Sequence, residues 1–288
     1  MYKVDNAVIM AAGTSSRFAP LSYERPKALT EVKGELLIER QIRQLREAGI
    51  DEIYIVTGYK AEQFNYLKEK FGVELIHNPD YLTRNNNSSI WQARHVIRNT
   101  YICSADNYFS ENPFEKEVEG AYYAAVYSNG PTNEWCMTEK DGLIDSVTVG
   151  GHDAWYMLGH VFWDEKFSEK FLNILAEIYD EPETADKLWE NIFIDHIEEL
   201  PMRIRKYPED EIFEFDTLDE MRQFDRSYID DTRSVIIKKI CQKLSVREAD
   251  IVAIRSFKDK DESAAGFTFT TGGKNYKYSY KNEHLEEV

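Results

Sequence analysis

The chain has 288 residues, 42% of them hydrophobic and 13% aromatic, which is enough for one large packed domain or one large and one small. A formal net charge of −17 excludes a general nucleic-acid partner, since binding a phosphate polymer requires a basic face. No apolar run reaches the length of a membrane span, and Met1-Tyr2-Lys3-Val4-Asp5 leads into a strand without a signal peptide, so a cytoplasmic protein is expected.

The first element is an apolar strand, Ala7 to Met10, running directly into Ala11-Ala12-Gly13-Thr14-Ser15-Ser16-Arg17. Gly13 is expected to turn the backbone tightly, and Thr14, Ser15 and Ser16 to offer main-chain N–H groups to an anion. Arg17, a planar fork, and Lys27, a point charge behind the stiffening Pro26, would supply positive charge to phosphates. The loop fits neither the ATPase nor the dinucleotide fingerprint. Alone it also reads as an ordinary turn; the preceding strand and the two cations favour an anion site.

Further strands are expected at Ile53 to Thr57, Val73 to His77 and Tyr101 to Ser104, alternating with helical faces Ile38/Ile42/Leu45, Phe64/Leu67/Phe71 and Ile90/Ala93/Ile97. That alternation predicts an α/β fold, a doubly wound and mainly parallel sheet covered on both faces. Ligands of such sheets sit at the carboxyl ends of the strands, where Gly13 and Asp106 are delivered. Four strand-like pieces follow, at Ala121 to Tyr127, Trp135 to Thr138, Leu143 to Val149 and Met157 to Trp163, read as more sheet plus an antiparallel flap. Helices near Glu165 to Tyr179 and Ala185 to Ile197 precede strand pieces at Met202 to Lys206 and Ile212 to Phe215. The division expected is 1–226 for the main domain and 227–288 for a small α+β module. That module has a helix, Ser234 to Leu244, a strand, Ile251 to Phe257, and a hairpin turned at Gly272-Gly273. Cys103, Cys136 and Cys241 have no disulfide or zinc spacing.

Asp106, after the fourth strand, is a candidate ligand for Mg²⁺ against a triphosphate, or a turn residue. Asp216 offers a second carboxylate and also looks like a helix N-cap. Four places set an aromatic ring beside an acid: Glu134-Trp135, Trp163-Asp164, Trp189-Glu190 and Glu214-Phe215-Asp216. A quaternary ammonium suits such a box, because its charge is spread over methyl groups that favour ring faces and nearby anions.

The segment Met10 to Val32 resembles the signature of nucleotidyltransferases that join an NTP to a phosphorylated small molecule. Thr132-Asn133-Glu134-Trp135, Phe162-Trp163-Asp164, Trp189-Glu190-Asn191 and Asn85-Asn86-Asn87-Ser88-Ser89 are similar to the bacterial CTP:phosphocholine cytidylyltransferases, over roughly Lys3 to Asp225. The resemblance implies Mg²⁺-assisted cytidylyl transfer from CTP to phosphocholine, with Arg17 and Lys27 on phosphates and Asp106 and Asp216 on the metal. It places the cytosine among Ala11, Ala12, Gly13, Asn86, Ser88 and Ser89, with Thr14, Ser15, Ser16 and Ala105 beside the nucleotide. It places the choline head among Glu134, Trp135, Trp163, Trp189, Glu190 and Glu214. Leu188 stands where the family often has an aromatic residue. Rival acceptors are phosphoethanolamine, 2-aminoethylphosphonate and a sugar 1-phosphate; a rival of another class is a non-catalytic nucleotide sensor. The C-terminal module is a candidate for pairing copies of the chain.

Overall fold

The computed structural model describes residues 1–259 and 264–288. Two compact units form, one from 1–13 and 37–214, the other from 14–36 and 215–288. Among the described residues no helix is long and apolar enough to cross a membrane.

The first unit is built on seven strands: β1 (Asn6–Ala11), β2 (Ile53–Thr57), β3 (Glu74–His77), β4 (Thr100–Ser104), β5 (Tyr122–Lys140), β6 (Leu143–Trp163) and β7 (Arg203–Tyr207). Their order across the sheet is β7-β5-β6-β4-β1-β2-β3. Pairs β1/β2, β1/β4, β2/β3 and β5/β7 are parallel; β5/β6 and β6/β4 are antiparallel. This is the mainly parallel α/β sheet that the alternation of strands and helices implies. Ala7, Val8 and Ile9 are fully buried, as a strand covered on both faces requires. The helix Leu37–Glu47 buries Ile38, Ile42 and Leu45 along one stripe.

The four strand-like pieces of the middle region form two long strands instead, β5 and β6, joined at Asp141-Gly142. Both turn residues have positive φ, 53° and 79°, the twist a two-residue hairpin needs. Register shifts bend the pair. Gly159, at φ 112°, sits where an added Cβ would lie 3.0 Å from Ile212 and 3.3 Å from Ala124.

In the second unit, residues 14–36 hold only short pieces: turns at Ser16–Phe18 and Lys27–Leu29, a helix Leu21–Glu24 and a ladder of Glu31–Val32 with Glu35–Leu36. Residues 215–288 supply the helices Leu218–Phe224, Ser227–Asp230 and Val235–Leu244. They also supply an antiparallel sheet of Val252–Lys258, Ala264–Thr271, Lys274–Ser279 and His284–Glu287. The expected hairpin at Gly272-Gly273 is present, and the fourth strand extends it. Phe267 and Phe269 form the sheet's buried face.

Candidate active site

On the first unit, β1 ends at Ala11. Ala12 is buried, its carbonyl accepting from the Tyr59 N–H at 3.0 Å, and Gly13 is exposed. Gly13 is not the residue that makes the turn. Positive φ falls on Ser15, at 47°, and a Cβ built on Gly13 meets no heavy atom within 4 Å. Neither backbone conformation nor protein packing asks for glycine there.

Ala105, at the end of β4, donates its N–H to the Met10 carbonyl at 3.1 Å and is buried. Asp106 follows, half-buried, in a turn bracketed by one side chain. Gln41 Nε2 donates to the carbonyls of Ser104 at 2.8 Å and Asn107 at 2.9 Å. Asn107 pairs with Glu214 in a short antiparallel ladder, Asn107–Phe109 with Ile212–Glu214.

The run Asn86 to Ser89 opens the helix Asn87–Ala93. Asn86 accepts from the Trp189 N–H at 2.7 Å and donates to Glu190 at 3.0 Å. Ser88 and Ser89 are buried, and both hydroxyls accept from Asn78. The Ser88 hydroxyl also donates to the Asn85 carbonyl at 2.8 Å.

Around Glu190 lies a cluster of rings and acids. Trp189 is 1% exposed and stacks on Tyr123, with centroids 5.8 Å apart and planes at 15°. Tyr123 donates its hydroxyl to Glu190 at 3.3 Å. Its phenol is pushed well above the ordinary value, first by burial and then by the charges of Glu190 and Glu214. Half-buried Tyr156 on β6 is pushed up too, by burial and then by Glu134, Glu209 and Glu214. The carboxyl of Glu190 is raised by desolvation, against hydrogen bonds from Asn86 and Tyr123. Tyr123 and Tyr156 were not singled out in the sequence, although each stands in a strand with its ring within reach of several carboxylates. Trp135 is half-buried and Glu134 exposed on β5.

Trp163 departs from expectation. It is fully buried, with ring centroids of Phe171 at 4.5 Å, Phe167 at 5.1 Å and Trp189 at 5.1 Å. Its neighbour Asp164 caps the helix Glu165–Ile178, accepting the Phe167 N–H at 3.0 Å. That ring and acid are structural, because the core and the cap have claimed them.

On the second unit, Arg17 and Lys27 share an acid. Arg17 Nη1 lies 2.6 Å from Asp216 Oδ2, and Lys27 Nζ lies 3.7 Å from Asp216 Oδ1. Arg17 is 73% exposed because the next residue, Phe18, is the one buried; Lys27 is 4% exposed, its ammonium 5.9 Å from the Phe18 ring centroid. Asp216 is not the helix cap. Thr217 caps Leu218–Phe224 in a capping box with Glu220, which leaves the Asp216 carboxylate to the two cations.

Among the described residues no three His, Cys, Asp or Glu side chains are grouped to hold a metal ion. The donor chemistry still fits Mg²⁺, a hard cation commonly bound by one or two carboxylates together with substrate phosphates and water. Asp216, one-third exposed and already balancing two positive charges, is an acid of that kind.

A mainly parallel sheet with a cationic segment following its first strand is the architecture of a nucleotidyltransferase. The MobA-like NTP transferase domain matches residues 7–116. The chain is 35% identical over 220 residues to the choline-phosphate cytidylyltransferase of Streptococcus pneumoniae, spanning 76% of this chain and 96% of that protein. It is likewise 35% identical over 229 residues to the 2-aminoethylphosphonate cytidylyltransferase of Lancefieldella rimae, spanning 78% and 93%. The solved structure of the Streptococcus pneumoniae CTP:phosphocholine cytidylyltransferase superposes with a TM-score of 0.75, covering 78% of this chain and 99% of that one. The chain belongs to the family of the bacterial choline-phosphate cytidylyltransferases, nucleotidyltransferases that work with a divalent cation.

Proposed function

We propose that this chain transfers the cytidylyl group of CTP to phosphocholine, giving CDP-choline and pyrophosphate. A phosphate oxygen of the acceptor attacks the α-phosphorus of CTP, and the bond from that phosphorus to the oxygen bridging to the β-phosphate breaks. The acceptor phosphate is largely ionised at neutral pH, so no protein nucleophile or base is needed. Catalysis rests on alignment and on neutralising crowded negative charge. Arg17 would grip two phosphate oxygens with its fork, and Lys27 would place one further charge beside them. Asp106 and Asp216 would hold Mg²⁺, which when bound offsets the charge of the triphosphate and the departing pyrophosphate. Main-chain groups of Ala11, Ala12, Gly13, Thr14, Ser15, Ser16 and Ala105 would line the nucleotide.

The observation that carries the acceptor assignment is the grouping of Tyr123 and half-buried Tyr156 with Glu134, Glu190 and Glu214, with Trp189, 1% exposed, backing Tyr123 from the core. Rings and carboxylates together suit a trimethylammonium head, which offers diffuse charge and no N–H donor. Trp135 would add a wall from β5. A second reading, transfer to 2-aminoethylphosphonate, is favoured by the similarity to the Lancefieldella rimae enzyme. A primary ammonium would use the same carboxylates through hydrogen bonds and need the rings less. A cytoplasmic location fits the use of CTP, and pairing of copies through 227–288 is a further expectation that light scattering of the full chain tests.

Pyrophosphate release with Mg²⁺ tests the reading, crossing CTP, UTP, dTTP and ATP against phosphocholine, phosphoethanolamine, 2-aminoethylphosphonate and glucose 1-phosphate. Release confined to CTP with phosphocholine is expected. Release with CTP and only an amine acceptor would move the assignment to the second reading.

A further inference from the structure

Residues 14–36 carry both cations assigned to the triphosphate yet contain no helix longer than four residues and no ladder longer than two. Pieces of that length do not hold themselves in water; their position comes from what packs on them. Within the second unit that packing comes from residues 224–258 and from Tyr280, at four places along the segment.

Glu24, three residues before Lys27, sits at the start of the helix Val235–Leu244. Its carboxylate accepts the N–H of Val235 at 2.9 Å and of Ile236 at 3.2 Å, and also the Ser234 hydroxyl. Ser234 Oγ in turn accepts the Ile237 N–H at 3.0 Å, so one acid and one hydroxyl answer three otherwise unpaired helix donors. Tyr23 stacks on Tyr280, with centroids 3.7 Å apart and planes at 6°. The Glu31 carbonyl accepts the Tyr228 hydroxyl at 2.6 Å, and its carboxylate pairs with Arg233 at 3.3 Å. The Lys33 N–H donates to Asp225 at 2.8 Å.

The same residues brace the other partner of the cations. Arg222, on the helix that starts just after Asp216, is 8% exposed and donates to the carbonyls of Tyr228, Glu248 and Ile251. Asp219 on that helix accepts the Ala253 N–H at 3.2 Å. The strand Val252–Lys258 packs on the Ser16–Phe18 turn that bears Arg17.

We propose that residues 224–258 together with Tyr280 are a clamp that fixes the cation-bearing segment 14–36 for the nucleotide, with Glu24 and Tyr280 as positioning residues that touch no substrate. The inference rests on the reading of Arg17 and Lys27 as the groups that hold the triphosphate of CTP.

Two readouts on the full-length chain test it. The first is independent of chemistry: amide exchange at Leu29 and Thr30, whose N–H groups bond to Pro26 and Lys27 carbonyls at 2.9 Å. In Tyr280→Ala and Glu24→Gln this exchange is expected to quicken about tenfold while amides of β1 and β4 keep their rates. The second is kinetic. Both variants are expected to raise KM for CTP about five- to tenfold with KM for the acceptor within twofold, and Tyr280→Phe, which keeps the stack, to restore wild-type values. Unchanged exchange at Leu29 and Thr30 in both variants overturns the clamp, as does an equal rise of both KM values. If Tyr280→Ala does not fold, Glu24→Gln and Tyr280→Phe carry the same comparison. Quickened exchange in a protein whose wild type releases no pyrophosphate would keep the clamp and remove the proposed function.

Discussion

Arg17 and Lys27 answer to the same carboxylate, that of Asp216, the first at 2.6 Å and the second at 3.7 Å. Without a nucleotide, the acid neutralises two cations that would otherwise repel each other. On the function proposed above, the phosphates of a bound nucleotide would take its place and leave its oxygens to a metal ion. Charge-assisted hydrogen bonds are worth about 1.5–3 kcal/mol, so Arg17→Ala should lower kcat/KM for CTP by about 10- to 100-fold. Arg17→Lys should fall between, because it keeps the charge and loses the fork. Steady-state pyrophosphate release measures both, and an Arg17→Ala chain within threefold of wild type would sink the assignment.

Gly13 isolates a ligand effect from a folding effect. A methyl group there meets no protein atom within 4 Å, and φ is not positive. Gly13→Ala should keep the wild-type Tm within about 1 °C, since surface substitutions of this kind change stability by under about 0.5 kcal/mol. It should nonetheless weaken CTP binding about tenfold if the nucleotide passes close to the backbone at that point. Thermal unfolding with and without CTP reads both quantities on one sample.

The raised carboxyl of Glu190 would give the proposed choline site a pH dependence. The ionised form holds a positive head and the neutral form does not, so affinity for choline should fall as pH is lowered. The loss should begin at a higher pH than an ordinary carboxylate, near 4.5, would give. Free choline is the probe, because it lacks the titrating phosphate of the substrate. In Glu190→Gln the part of the loss that comes from this carboxyl should be absent. Calorimetric titration from pH 4.5 to 8 would show it, and a curve identical in the two proteins would exclude Glu190.

His160 sets part of the acid stability. It is fully buried, its Nε2 2.8 Å from the Tyr122 hydroxyl and 3.4 Å from that of Tyr207, and burial lowers its pKa to about 3, helped by the Arg205 charge. Between the ordinary value of 6.5 and about 3 the unfolded chain takes up a proton that the folded chain refuses. Stability is therefore intact above pH 6.5 and falls by up to about 1.4 kcal/mol per pH unit below it. His160→Phe should be less stable at pH 7.5, having left two hydroxyls without that nitrogen, and should lose less on acidification. Urea unfolding at pH 7.5 and 5 compares the slopes; equal slopes would show that the imidazole is protonated in the fold.

The sheet was legible in the chain because its strands are continuous apolar runs, and Ala7-Val8-Ile9 has no other way to be satisfied. Arg17, Lys27 and Asp216 could be picked out by charge and spacing, and the structure brings these three together. The aromatic partners were harder to read. Trp163 stands beside an acid in the sequence, but adjacency along a strand puts neighbours on opposite faces, and Asp164 is used as a helix cap. Tyr123 and Tyr156 gave no local cue, since their acids, Glu190 and Glu214 among them, lie far away in the chain. The turn at Asp141-Gly142 has positive φ at both residues. It joins two long strands where four short ones were expected, because bent strands interrupt the alternation that marks them.

The second unit is assembled from two pieces of chain, 14–36 and 215–288, with the whole of 37–214 between them. On the ribosome the piece with Arg17 and Lys27 emerges early, and its packing partners are translated only after the sheet of the first unit is complete. A nascent chain thus possesses every residue named for the chemistry once Asp216 has been added, yet the neighbours that order Glu24 and Tyr23 are still to come. On the clamp proposed above, a premature stop just beyond residue 216 would yield a protein that has Arg17, Lys27 and Asp216 but lacks the residues that pack on the segment bearing the two cations.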